Sequence, residues 1–132
     1  MRINELENGP ESKTNLKILL AEDDVINQKL FSYMLKGIAS ELLIASTGTE
    51  AIKLYKENGD FDLILMDLRM PEMDGHEAAR KIREMDNSIK IFALSAYDPE
   101  SQGESIKNSG FNDYLSKPIK KDALLKAVNQ HF

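Results

Sequence analysis

Cysteine is absent from the 132-residue chain, and so is tryptophan. The first absence excludes disulfides, thiol nucleophiles and thiolate-bound metals together, and leaves the redox compartment open. Histidine is scarce, with only His76 and His131. Neither follows an apolar run, so a zinc centre is a poor fit. No apolar stretch approaches the ~20 residues that cross a bilayer, and the amino terminus lacks the core of a secretion signal. The expectation is a soluble, cytoplasmic protein with no membrane insertion. Excess positive charge is also missing: Lys and Arg number 17 against 22 Asp and Glu, for a net charge of -5, which argues against nucleic acid as a direct partner. What is present is an ordinary globular balance, 42% hydrophobic and 30% charged, in a length that suits one domain.

Residues 1–15 are polar and broken by Gly9-Pro10, which reads as a linker or tail, with a domain over 16–132. From Leu16 onward short apolar runs alternate with amphipathic stretches. The runs are Lys17 to Ala21, Leu42 to Ala45, Leu63 to Met66, Ile89 to Leu94 and Tyr114 to Leu115. Those around Leu19 and Leu65 are almost wholly apolar, as in strands buried on both faces. Between them, Ile26, Leu30, Met34 and Ile38 form one stripe at helical spacing. Thr47-Gly48-Thr49-Glu50 is a capping-box pattern and Asn58-Gly59 a helix stop. Asp74 opens another helix, Asp98-Pro99 a further one, and Lys121 to Phe132 the last, with Leu124, Leu125 and Val128 on one side. Five βα units in succession predict an α/β fold with a parallel sheet and helices on both faces. The stretch Asp98 to Ser109 has Ile106 as its sole large apolar side chain and Gly103 near its middle. It should therefore be the least stable helix.

In such sheets ligands bind beyond the carboxyl ends of the strands. The first run ends in Glu22-Asp23-Asp24, the third in Asp67 and the fourth in Ser95, while Lys117-Pro118 follows the fifth. Asp24 suits a helix N-cap. The remaining carboxylates, one hydroxyl and one ammonium would share one edge. Two carboxylates 4 Å apart repel by roughly 4 kcal/mol at an effective dielectric near 20. Three together therefore call for a cation, and all-oxygen donors select a hard one such as Mg²⁺ or Mn²⁺. A carboxylate beside such a metal and a lysine suits phosphoryl transfer onto Asp67.

These residues resemble the response-regulator receiver domain of two-component signalling, over about Leu16 to Phe132. The matching segments are Lys17-Ile-Leu-Leu-Ala-Glu-Asp-Asp24, Asp62-Leu-Ile-Leu-Met-Asp-Leu-Arg-Met-Pro-Glu-Met-Asp-Gly75, Ala93-Leu-Ser-Ala96 and Asp113-Tyr-Leu-Ser-Lys-Pro-Ile119. The resemblance implies a flavodoxin-like (βα)5 sheet of order 2-1-3-4-5 and Asp67 as phosphoacceptor. It implies Mg²⁺ held by Glu22, Asp23, Asp67 and the backbone carbonyl of Arg69, with Lys117 pairing the phosphoryl group. Ser95 would be the switch hydroxyl and Tyr114 the aromatic that follows it inward. Arg69 and Tyr97 would overhang the path of the hydrolytic water and tune the lifetime of the phosphorylated form.

The implied partner is a histidine kinase or a histidine phosphotransfer domain, met through the first helix, where Ile26 or Leu30 is also expected to serve the core. The Ile26-Asn27-Gln28 opening and Lys117-Pro118-Ile119 look most like receivers within hybrid histidine kinases, with a free-standing regulator as the alternative. Such a domain is a signalling phosphoacceptor, catalysing only its own phosphorylation and dephosphorylation. Two other readings are a pseudo-receiver that only binds a partner and an aspartyl-phosphate hydrolase. The first would normally have lost a site residue, and the second needs a cap insertion for which no stretch is long enough.

Overall fold

The computed structural model describes residues 15–96 and 110–132. The expected linker 1–15, apart from Asn15, and the expected helix Asp98 to Ser109 lie outside them. The apolar runs form five parallel strands in the order β2-β1-β3-β4-β5, the predicted 2-1-3-4-5 arrangement. They are β1 (Leu16–Ala21), β2 (Ala39–Ala45), β3 (Leu63–Asp67), β4 (Lys90–Ser95) and β5 (Asp113–Ser116). The described helices are α1 (Val25–Met34), α2 (Gly48–Asn58), α3 (Gly75–Met85) and α4 (Lys121–His131).

Side-chain alternation along the central strands divides the core in two. Ile18, Leu20, Leu63, Leu65 and Phe92 face Phe31 and Met34 of α1 and Leu124 and Val128 of α4. Leu19, Ile64, Met66 and Ile91 face Ala51 of α2 and Ala78, Ala79 and Ile82 of α3. Every residue of β3 is buried, as an unbroken apolar run in a covered parallel sheet should be. The lysine that opens this otherwise apolar start has a local role. Lys17 Nζ donates to the terminal carbonyls of α2, Asn58 O at 2.9 Å and Gly59 O at 3.0 Å, which the helix itself leaves unpaired.

Three sequence readings need correction. The stripe Ile26, Leu30, Met34, Ile38 is not the buried face of α1: Phe31, Met34 and Leu35 are buried, whereas Ile26 and Leu30 are 75% and 44% exposed. Steps of four residues drift by about 40° per step around a helix of 3.6 residues per turn, so a strict four-residue repeat cannot stay on one face. Ile38 is buried beyond the end of α1. The second strand starts at Ala39 rather than Leu42, because Leu16 and Lys17 pair with Ala39 and Glu41. The capping box closes one residue early: Thr47 Oγ1 accepts from Glu50 N at 3.0 Å, but Glu50 Oε1 accepts from Ser46 N at 2.6 Å.

A polar hub closes the end of α3. Asp86 Oδ1 accepts from Ser88 N at 2.9 Å and Ile89 N at 3.1 Å, and Asp86 Oδ2 from Tyr55 Oη at 2.8 Å. The Ser88 backbone bond, with the Tyr55 hydroxyl next, holds the Asp86 carboxyl at about 2. Burial, then the bond to Asp86, pushes the Tyr55 phenol up to about 12. A depressed carboxyl contributes stability that is present above its unfolded value near 3.9 and lost as pH falls toward 2. A raised phenol contributes stability that is present below pH ~10 and lost as pH rises through 12. Tyr55→Phe should therefore cost about 1–2 kcal/mol at pH 7. Urea unfolding of the two proteins at pH 7 and pH 2.5 should show that difference shrinking in acid; an unchanged difference would mean Asp86 is not the partner that matters.

Candidate functional site

Parallel register brings the strand ends to one level. Ala21 pairs with Met66, Asp67 with Leu94 and Ser95 with Ser116. The residues at and just beyond those ends open into a cleft of about 330 Å³ lined by Glu22, Asp23, Asp67, Arg69, Ser95 and Lys117, among others. Five of the expected site residues thus meet Arg69 in one place. Asp24 instead caps α1, its Oδ1 accepting from Ile26 N at 2.9 Å, as anticipated.

Lys117 is the bridge. Its ammonium donates to Asp67 Oδ2 at 2.7 Å and to Glu22 Oε1 at 3.0 Å. Glu22, Asp67 and Ser95 are the buried polar residues of the described chain, so the two acceptors are carboxylates largely removed from water. Burial, with the Asp67 charge adding to it, raises the Glu22 pKa, although the Asp24 amide and Lys117 pull it back. Burial alone would lower Lys117, but its bonds to Asp67 and Glu22 outweigh that and leave its pKa raised. The lysine therefore stays cationic, and it reaches the cleft from a loop fixed by its own backbone N–H bonding Ser95 O at 2.7 Å. The Lys117-Pro118 peptide is cis.

The remaining groups are equally anchored. Asp67 Oδ1 accepts from Arg69 N at 3.0 Å. Leu68 N donates to Leu94 O at 3.1 Å, prolonging the ladder past the end of β3. Gly75 is required behind Asp67: a β-carbon there would collide with the Asp67 carbonyl oxygen and lie 2.8 Å from Leu68 Cα. Gln28 donates to Glu22 O at 2.6 Å and to Ser46 Oγ at 3.3 Å, tying α1 to the end of β1. The sequence did not mark Gln28 or Gly75 as site residues. A glycine directly after Asp74 at a helix start was the available signal for the second, and nothing local marked the first. Tyr114 is not in the cleft; it sits on β5 opposite Ala93, half-buried against the core on the α2–α3 side. Tyr97 lies outside the described residues.

Carboxylate oxygens of Glu22, Asp23 and Asp67 all lie within 4.8 Å of one another. Three carboxylates against one ammonium leave a formal excess of two negative charges, which a divalent cation would offset. The donors are hard oxygens, so this cluster can hold a metal of the Mg²⁺ or Mn²⁺ kind.

Residues 18–129 match the family of response regulator receiver domains. The chain is a receiver domain. It is 40% identical to part of hybrid signal transduction histidine kinase B of Dictyostelium discoideum, over 87% of this chain but only 6% of that protein. In structure it is similar to the receiver domain of a sensor histidine kinase from Pseudomonas aeruginosa, solved with a magnesium ion coordinated in its active-site cleft. That match has a TM-score of 0.78 at 33% identity and covers 89% of this chain and 97% of the other. It is also similar to a chain of the Saccharomyces cerevisiae co-crystal of the histidine phosphotransfer protein Ypd1 with the receiver domain of its response regulator Ssk1. Here the TM-score is 0.80 at 33% identity, over 90% and 88% of the two chains. Among the described residues no helix is long and apolar enough to cross a membrane.

A receiver with this charge imbalance should be stabilised by a divalent cation. At a free concentration one hundred times the dissociation constant the gain is about 2.7 kcal/mol. Thermal unfolding with and without Mg²⁺ measures it, and Asp23→Asn should remove most of the gain. An equal Mg²⁺ effect in that variant would take Asp23 out of the ligand set.

Proposed function

We propose that this receiver domain, taken as residues 16–132, accepts a phosphoryl group from phosphohistidine onto Asp67 in the presence of Mg²⁺, and that this switches its conformation. The observation that carries the reading is the Lys117 ammonium bonded at once to Asp67 and Glu22. Paired with a carboxylate in a largely buried cleft, that ammonium is placed to meet a phosphoryl group held by the same carboxylate.

Glu22, Asp23, Asp67 and the Arg69 carbonyl would hold the metal. When bound, Mg²⁺ would supply positive charge for the phosphoryl oxygens. Asp67 would attack phosphorus as the bond to the donor imidazole breaks, the imidazole leaving as the neutral base because its other ring nitrogen already carries a proton. Lys117 would then shift its bond from the Asp67 carboxylate to a phosphoryl oxygen. Ser95, buried in the same cleft, would bond another, and Tyr114 would respond to its movement. Side chains at Arg69 and Tyr97 would restrict the in-line approach of water. The activity amounts to the domain's own phosphorylation and dephosphorylation, as befits a signalling phosphoacceptor rather than an enzyme acting on free substrate.

The donor would meet the face beside the cleft. Val25, Ile26, Leu30 and Tyr33 are exposed apolar or aromatic residues of α1. Leu30 also lines a groove of about 340 Å³ with Asn27, Phe31, Ala96, Lys117, Pro118 and Ile119. An apolar helix face next to the reacting carboxylate suits a histidine-bearing helix of a kinase or phosphotransfer domain. On this reading the chain serves within a hybrid histidine kinase, or as a free-standing regulator, in the cytoplasm.

Asp67→Asn should abolish acid-labile labelling by any phosphodonor, and persistent labelling would contradict the assignment. Ile26→Ala with Leu30→Ala should slow transfer from a phosphorylated histidine phosphotransfer domain on the order of tenfold, the effect of losing ~1.4 kcal/mol of contact. The same variant should leave labelling by acetyl phosphate unchanged, which separates docking from chemistry. Arg69→Asn combined with Tyr97→Ala should shorten the half-life of the phosphorylated form; an unaltered half-life would place control of water access elsewhere.

A further inference from the structure

Gly48 is the first residue of α2, buried, and remote in sequence from every residue of the cleft. A β-carbon there would lie 2.5 Å from the carbonyl oxygen of Met73, 3.1 Å from its Cβ and 3.2 Å from its carbonyl carbon. The obstacle is backbone, so no side chain can swing aside to relieve it. Met73 belongs to the loop that joins Asp67 to α3 and contains Arg69.

The loop is fixed at both roots. Arg69 N bonds Asp67 Oδ1, and Gly75 N bonds Leu68 O at 3.1 Å. Between them Met73 N closes a tight turn onto Pro71 O at 2.8 Å, with Glu72 held at a φ of 69°, a conformation costly for a residue with a side chain. The opposing helix is fixed as well. Thr47, Glu50 and Ser46 close its first turn, Ala51 is fully buried, and Tyr55 ties its far end to Asp86. If the two surfaces are forced apart, the stretch between the pinned roots is the part that yields, and the Arg69 carbonyl, just past the pinned Arg69 N–H, is its first group.

We propose that Gly48 is a positioning residue of the phosphoacceptor site: the missing side chain gives the Asp67–Asp74 loop its seat against α2, and that seat sets where the Arg69 carbonyl lies. This rests on the proposed metal role of that carbonyl. Residues that stand behind a metal ligand commonly affect affinity by about 10–100-fold, so Gly48→Ala should weaken Mg²⁺ binding by roughly tenfold. Gly59→Ala is the control. Gly59 ends the same helix at a φ of 53° with nothing within 4 Å of the added carbon, so it should lower the melting temperature without touching the loop.

The experiment is a Mg²⁺ titration of wild type, Gly48→Ala and Gly59→Ala, followed by amide resonances, together with the melting temperature of each. The expected result is weaker Mg²⁺ binding in Gly48→Ala alone, with metal-free amide shifts concentrated at Arg69 to Asp74. Wild-type affinity in Gly48→Ala overturns the inference, and so does equal weakening in both variants, since metal loss would then follow stability alone. If Gly48→Ala does not fold, Glu72→Gly in the same background frees the strained turn and lets the loop retreat. That double variant should fold and still bind Mg²⁺ weakly, and normal affinity in it also sinks the seat. A wild-type protein that binds no Mg²⁺ overturns the metal reading itself, whereas a normal wild type with an unaffected Gly48→Ala overturns only the positioning role.

Discussion

One ammonium group holds together what would otherwise repel. Glu22, just past β1, and Asp67, the last residue of β3, are both buried, and at an effective dielectric near 20 two such charges about 4 Å apart oppose folding by roughly 4 kcal/mol. Lys117 offsets that by bonding both, and it comes from the far edge of the sheet, so the pairing links β1, β3 and the loop after β5. The balance is incomplete because Asp23 joins the same cluster. The residual negative charge is the physical reason that this cluster can hold a divalent cation. A site built to be fully neutral would be more stable and would have no affinity to offer.

Everything beneath that cluster serves to deliver it. Two cores on opposite faces of the sheet fix the strands in register. Short backbone bonds just beyond the strands, Leu68 to Leu94 and Lys117 to Ser95, carry the order of the sheet into the loops that bear the reactive groups. The loop after Asp67 has its own close contacts, with Gly75 behind the carboxylate and Gly48 beside Met73. Rigid placement of this sort is what phosphoryl transfer asks of a protein, since little covalent chemistry is left for it to perform.

The alternation of runs and caps made the parallel sheet and the cleft residues legible in the sequence, because strand ends and carboxylates are both local signals, whereas the strand order came from the family resemblance. Asp67 stood out as a charge closing an apolar strand, and Lys117 followed from its place after the fifth run. The errors came from packing that no local pattern records. A repeat of four suggested a buried stripe on α1, yet Ile26 and Leu30 face outward and Phe31 faces in. Gln28, Gly48 and Gly75 act through contacts with residues distant in sequence or through space they leave empty, and neither leaves a periodic trace. Tyr97, expected to tune the lifetime of the phosphorylated form, and the expected helix Asp98 to Ser109 lie beyond the described residues, while Tyr114, expected to follow the switch hydroxyl, lies on β5 outside the cleft.

Asn27, Ala96 and Lys117 line both the acidic cleft and the apolar groove beside it. A substitution at this shared rim alters reactivity and recognition together, and so is constrained twice. Val25, Ile26 and Tyr33 lie on α1 outside both cavities and carry little of the core. If α1 is the docking face proposed above, drift at those three positions would re-address the domain to a different donor while leaving the cleft as it was.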